Sequence, residues 1–419
     1  MKSLIKTALT FSIVFLFIGS VIIPTIYGSN VKGNLFKNFG FFELKQASIT
    51  RGLEEQDINE TMKELLDLGH IPGISACIIK NNSVVWSDGF GYRDIRHKLD
   101  ATDDTVHPIA SVTKLFTATA IMQLYEEGKF DLDDNVSDYL GFDLKNPKYP
   151  KVNITFRMLL AHQSSLADIN IRYLINFMLI GYPKSWLEEY LLVDGLFYSK
   201  KAWKSYAPGE NVFYSNINIE LLGLLVEIFS GQPYEEYVKD NILDPLEMYN
   251  TSFYLEDFDP YMLSNQYFWY GFYVTLPHFI YGIHAAGGLC STVLDLSHFL
   301  IAYMQNGTYK GYQLLEPDII KEMFTIQYPD SFDGKFRFGL GWYFWNASDN
   351  KSYGGHGGIA IGGRSELRWR LDDDVGVIFC WNRDATLNHY IHHPLLFKNY
   401  KNAYKQFAPV LYNYAGQLN

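Results

Sequence analysis

Cysteine is scarce: Cys77, Cys290 and Cys380 are the only three in 419 residues. They are too few for a disulfide framework, and none has the CxxC or Cys/His spacing of a zinc site. Each sits among apolar neighbours and reads as a small buried hydrophobe. Basic residues are in the minority, with 35 Lys plus Arg against 46 Asp plus Glu for a net charge of −11. No stretch gathers them into the stripe that a phosphate backbone requires, so nucleic acid is excluded as a partner. A Walker A loop and the G-x-S-x-G elbow are both missing. His392-His393 has no helical i, i+4 partner and no acidic companion, so neither a metal nor any other cofactor is expected. Repeats and low-complexity tracts are absent as well. Apolar area, by contrast, is plentiful: hydrophobic residues make up 48% and aromatic ones 16%, far more than a disordered chain carries.

Charge is also lacking at the start of the chain. Lys2 and Lys6 are the only charged residues in 1–28, and an uninterrupted apolar run extends from Ala8 to Tyr27. The run approaches the ~20 residues that span a bilayer. Small residues suited to cleavage are poorly placed, since Ile26 precedes Gly28 by two positions. Residues 1–28 therefore read as a signal peptide or an N-terminal membrane anchor, with attachment through residues 8–27 in the second case. Either reading puts the rest of the chain outside the cell or on its surface. Asn-x-Ser/Thr triplets such as Asn59, Asn135, Asn153 and Asn250 are compatible with export. Without 1–28 the net charge becomes −13, which offers no attraction to anionic lipid.

A polar linker, 29–56, precedes a single catalytic domain expected over 57–400, with 401–419 as a C-terminal tail. Asp57 and Glu60 open a helix whose Ile58, Met62, Leu65 and Leu66 share one face. Ile74–Ile79 and Ser83–Trp86 flank Lys80-Asn81-Asn82, a hairpin signal because Asn tolerates positive φ. Glu366–Arg370 and Val375–Trp381 form a second hairpin around Asp372–Asp374. Between them the signals are mostly helical: Ser111–Glu127, Asn216–Ser230 and Thr292–Gln305, each closed by a glycine. The fold class expected is α/β (α+β), an antiparallel sheet built from both chain ends and flanked by helices, with an inserted, mainly helical lobe over 131–285. The junction of the two parts is the natural place for a pocket.

The helix from Ser111 is apolar on nearly every side, and such a helix is buried. Lys114 in its first turn opposes the positive end of the macrodipole. For stability this is a poor place for lysine. For chemistry it is useful, since residues three apart share a helix face and a lysine of lowered pKa accepts a proton from the Ser111 hydroxyl. Ser-x-x-Lys also begins at Ser3, Ser29 and Ser348, but only Ser111 opens a buried helix. Tyr214 and Asn216 stand at a loop-to-helix junction after the turn Ala207–Glu210, where Asn216 as an N-cap and Tyr214 as a packed aromatic form the rival reading. Tyr400-Lys401-Asn402 repeats their pattern without that context. Gly354-Gly355-His356-Gly357-Gly358 precedes a β-rich stretch, where glycines admit close backbone approach. A dinucleotide loop would open a helix instead.

In order, Ser111-Val112-Thr113-Lys114, Tyr214-Ser215-Asn216 and His356-Gly357-Gly358 resemble the three motifs of the class C β-lactamase and penicillin-binding serine hydrolase family. The resemblance covers about residues 56–385 and includes landmarks such as Leu159-Leu160-Ala161-His162, Ala285–Thr292 and Gly339–Trp342. It implies hydrolysis of an ester or amide, in a small-molecule or peptide substrate, through an acyl-enzyme. Ser111 would be the nucleophile and Lys114 its base. Tyr214 would exchange protons with Lys114 and the leaving group, and Asn216 would orient Lys114 and substrate. The N–H groups of Ser111 and Ile359 would form the oxyanion hole, with His356, Gly357 and Gly358 lining the substrate.

Two departures stand out. His356 replaces the lysine of dedicated β-lactamases, so a cation only partly charged near neutrality would face a substrate carboxylate. That resembles the family's esterases and peptidases more than a β-lactamase or a D-alanyl-D-alanine carboxypeptidase. Ser165 replaces the glycine of His-x-Ser-Gly and is expected to change a nearby turn. The alternative from another class is a non-catalytic penicillin-binding-like receptor that acylates without turnover. The aromatic stretch Tyr267–Tyr281 reads either as core of the helical lobe or as a cleft lining for apolar acyl groups, with membrane contact as a third reading.

Overall fold

Asn81 and Asn82 both take positive φ, 53° and 57°, and close the hairpin between β1 (Gly73–Lys80) and β2 (Ser83–Asp94). The computed structural model describes residues 57–168, 184–278, 282–327, 336–384 and 394–418; the apolar segment 1–28 and the linker 29–56 lie outside them. The second hairpin is β9 (Gly363–Arg370) and β10 (Val375–Trp381). With β3 (Leu99–Asp100), β6 (Arg337–Phe338), β7 (Tyr343–Asn346) and β8 (Ser352–Ala360), these strands make one eight-stranded sheet ordered β6-β7-β8-β9-β10-β1-β2-β3. The junction between the chain's two ends is the β1–β10 pairing, antiparallel from Ile74 opposite Trp381 to Lys80 opposite Val375.

Alternation along β1 sorts its side chains to two faces. Ile74, Ala76 and Ile78 pack with Val377, Phe379 and Trp381 against α1 (Ile58–Gly69) and the final helix α6 (Pro394–Ala415). Cys77 and Ile79 face the larger core, which includes α2 (Thr113–Glu126), α3 (Asn216–Ser230) and α5 (Val293–Met304). Both faces are covered, which is why these strands read as continuous apolar runs. α1 begins as expected at Asp57, whose carboxylate accepts the Asn59 N–H at 3.0 Å, and buries Ile58, Met62, Leu65 and Leu66.

Two expectations need correction. Residues 401–415 are not a tail: they continue α6, burying Tyr400, Phe407 and Leu411 against the sheet. Their aromatic spacing is helical, and the sheet's outer face needs the cover. Within the stretch 131–285, Gln266–Trp269 (β4) and Tyr273–Leu276 (β5) form a β-hairpin. Tyr267 and Phe268 are buried, and the Tyr267 N–H is bonded to the Gly362 and Asn382 carbonyls beside the sheet. The hairpin therefore sits beside the β8–β9 turn, and its aromatics are strand residues, not core of a helical lobe. Residues 279–281 of that stretch lie outside the described ones.

Candidate active site

The chain enters α2 through a single 3₁₀ turn, Ala110–Val112, with Ala110 in the left-handed region at φ 46°. That conformation disfavours a residue with a β-carbon and is held by the surrounding packing. From Thr113 to Leu124 every residue of α2 is buried. Lys114 is only 1% exposed, and its Nζ donates to Ser111 Oγ at 2.9 Å and to the Ala286 carbonyl at 2.5 Å. Burial pushes its pKa down to about 7, against the opposing pull of the Asp168 and Glu220 carboxylates.

Tyr214 reaches the same hydroxyl from the loop before α3, its O–H donating to Ser111 Oγ at 2.9 Å. The loop is fixed by Phe213 N–H donating to the His162 carbonyl and Ser215 N–H to His162 Nδ1. The Tyr214 ring packs among His162, Tyr343 and His356, with the His162 ring centroid 4.6 Å away. Burial raises the Tyr214 pKa well above its ordinary value, although hydrogen bonds with Ser111 and the Tyr343 hydroxyl work the other way. A lysine poised near neutrality and a tyrosine held protonated thus converge on one serine oxygen.

Asn216 is the first residue of α3, after Ser215 at the cap position. Its backbone N–H donates to Asp168 Oδ1 at 2.5 Å and its carboxamide to Asp168 Oδ2 at 3.2 Å. Among the described residues no hydrogen bond joins Lys114 to Asn216; the Asn216 side chain is held by Asp168. Asp168 is, with Glu220, one of two carboxylates whose charge acts on Lys114, and burial raises its own pKa. Nothing in the sequence around Asp168 marks it, because its partners are 54 and 48 positions away along the chain at Lys114 and Asn216.

On the other side, β8 brings His356, Gly357 and Gly358 beside the turn that carries Ser111. Ser365 Oγ, on the neighbouring strand, donates to the Ile109 carbonyl at 2.6 Å. His356 is buried and its Nδ1 donates to the Gly357 carbonyl at 2.8 Å, so this nitrogen carries the proton. Burial and the Lys114 charge push its pKa down to about 3. Both effects favour the neutral imidazole over the partial cation expected from sequence. Ile359 stands partly exposed at the end of the strand. Ser165 keeps the turn that glycine would make: its φ is 61°, and its Oγ accepts from Asn146 Nδ2 at 2.8 Å. Among the described residues no set of His, Cys, Asp or Glu side chains is arranged to hold a metal ion; His392-His393 lies outside them.

A family profile described as "Beta-lactamase" matches residues 58–396. The octameric penicillin-binding protein homologue from Pyrococcus abyssi superposes with a TM-score of 0.68 at 31% identity, covering 80% of this chain and 74% of that one. D-amino acid amidase from Ochrobactrum anthropi SV3 shares the fold, with a TM-score of 0.66 at 24% identity over 86% of this chain and all of that one. Protein flp of Staphylococcus aureus (strain N315) is 34% identical over 203 residues, 48% of this chain but only 38% of that protein. The chain thus covers well under half the length of that curated relative.

Proposed function

The chain belongs to the beta-lactamase family, whose members are generally serine hydrolases, and from that premise we propose that it is an exported serine hydrolase cleaving an ester or amide through a Ser111 acyl-enzyme. The observation that carries this reading is the shared oxygen: Lys114 Nζ and the Tyr214 hydroxyl each stand 2.9 Å from Ser111 Oγ.

In the proposed reaction Lys114, as the free amine, takes the Ser111 proton while Oγ forms a bond to the substrate carbonyl carbon. The carbonyl electron pair moves onto oxygen, facing the N–H groups of Ser111 and Ile359, each such donor being worth about 10²–10³ in rate. Tyr214, protonated because it is buried, delivers a proton to the leaving alkoxide or amine and is reprotonated from Lys114. Water then enters by the same route in reverse and frees the acid. Asn216 and Asp168 fix the start of α3, just after the loop that carries Tyr214.

A neutral His356 supports an esterase or peptidase acting on uncharged acyl groups over a carboxypeptidase that must grip a carboxylate. Export rests on the charge-free run at 8–27. Among the described residues no helix is long and apolar enough to cross a membrane. A fluorescent fluorophosphonate tests the central claim: wild type is expected to be labelled and Ser111→Ala to be blank. Equal labelling of the two, or none of wild type, sinks the proposal. A panel of p-nitrophenyl esters, D-amino-acid peptides and a chromogenic cephalosporin then separates the substrate classes, and acylation without turnover on all of them would mark a receptor.

A further inference from the structure

Every residue of α3 from Ile217 to Val226 is buried, and one of them is a carboxylate, Glu220. Glu220 lies outside the three motifs that carry the family resemblance. A buried carboxylate is costly unless it is hydrogen-bonded and electrostatically compensated. Its partner is a backbone group: the Ala286 N–H donates to Glu220 Oε1 at 2.8 Å. The carbonyl of that same residue accepts Lys114 Nζ at 2.5 Å. Ala286 belongs to α4 (His284–Gly287), a single turn wedged between α2 and α3. One turn beyond Glu220, a β-carbon on Gly223 would stand 2.6 Å from Ala285 Cβ, so glycine is what lets the two helices meet there. One turn beyond Lys114, Thr117 Oγ1 donates to the Ala285 carbonyl at 2.6 Å. The turn is therefore gripped from both helices, and Glu220 is the charged member of that grip.

We infer that Glu220 is a positioning residue for Lys114: it fixes the residue whose carbonyl holds Nζ, and its charge sets how readily the lysine keeps its proton. This rests on the serine-hydrolase reading above for its catalytic meaning. The groups that face Glu220 are Lys114 from α2, His284 from α4, and Tyr234 and Glu235 from the neighbouring helix Tyr234–Val238. His284 Nδ1 is bonded to the Glu235 carboxylate, which raises the histidine's pKa, and Glu227 adds to that rise. Asp168 approaches Lys114 independently of Glu220. Burial pushes Glu220 up to about 7, the range in which Lys114 titrates, and the charge of each acts on the other. An ionised Glu220 favours the ammonium form of Lys114 and a neutral one the amine. Removing the carboxylate charge must lower the Lys114 pKa.

The test compares full-length wild type with E220Q, whose amide oxygen still accepts from the Ala286 N–H. In protein labelled with ¹⁵N-lysine, the Nζ resonance assigned through Lys114 is expected to titrate lower in E220Q by about 0.5–1 pH unit, the scale of one nearby charge. The acid limb of fluorophosphonate labelling should move by the same amount. E220L, which has no acceptor, should lower the melting temperature and slow labelling at every pH. An unmoved Lys114 titration in E220Q overturns the inference even when labelling is normal. A moved titration in a protein that never labels upholds the positioning of Lys114 and removes the hydrolase reading instead.

Discussion

Gly358 lies so close to the main chain ahead of Ser111 that a β-carbon added to it would stand 2.2 Å from the Ile109 carbonyl oxygen. The same oxygen accepts the Ser365 hydroxyl. The sheet thus registers the Ser111 turn through backbone, and only a residue without a side chain permits that approach. Gly358→Ala must push β8 and the Ile109–Ser111 segment apart. Overpacking of this kind costs about 1–3 kcal/mol. Its effect on chemistry should be larger, since a displacement near 1 Å loses about 10²-fold in rate. Fluorophosphonate labelling and thermal melting measured on one preparation check both; labelling at the wild-type rate would show that this contact does not register the site.

Lys114 predicts the pH dependence. Its pKa is lowered by burial to about 7, and in the proposed reaction the amine is the form that accepts the Ser111 proton. The acylation rate should therefore rise as pH increases through about 7 and level off above it. Burial lowers the pKa of both His162 and His356, that of His356 to about 3, so the limb through 7 is the one expected of Lys114. A labelling profile from pH 5 to 9 with a flat response below 7 would be incompatible with a neutral lysine base.

The parts of the fold that were legible in the sequence are those whose cause is local. The Asn81-Asn82 turn, the Asp57 cap and the all-apolar face of α2 each announce themselves within a few residues. Ser111 and Lys114 stand out because a cation in the first turn of a buried helix is anomalous on physical grounds, whereas Tyr214 is marked by its loop-to-helix junction and by the family resemblance. Asp168 and Glu220 were not found, since their significance depends on residues brought near by folding: Glu220 meets Ala286, 66 positions on. The neutrality of His356 was missed for a related reason, because burial and the Lys114 charge, not sequence neighbours, set its pKa. The final helix was missed because an aromatic-rich stretch with many polar residues reads as a tail until a sheet face is found that it must cover.

Phe407 tests that last point. It is fully buried in the layer between α6 and the sheet, its ring 5.8 Å from Trp381 and 6.1 Å from Phe379. Phe407→Ala should destabilise the protein by about 3–5 kcal/mol, as deletion of a buried aromatic does. The proposed catalytic residues lie on the opposite side of the sheet, so the folded fraction should label at close to the wild-type rate. Denaturant unfolding together with labelling below the midpoint separates the two. A variant as stable as wild type would mean that α6 is an appendage after all.

His356 decides how substrates bearing a carboxylate compare with neutral ones. Were it an exposed imidazole, lowering the pH from 8 to 5 would charge it, and a peptide ending in a free carboxylate would gain on the corresponding amide-capped peptide. Its pKa is instead pushed down to about 3 by burial and by Lys114, and its Nδ1 proton is committed to the Gly357 carbonyl. Across pH 5–8 the imidazole should stay neutral, so the ratio of kcat/KM for the two peptides should stay constant. The Lys114 limb is common to both substrates and cancels in that ratio, which makes the comparison specific to the third motif. A ratio that rises toward low pH would place a titrating cation beside the substrate, and His356, as the motif's ionisable side chain, would then have to be more solvated during turnover than in the unliganded site.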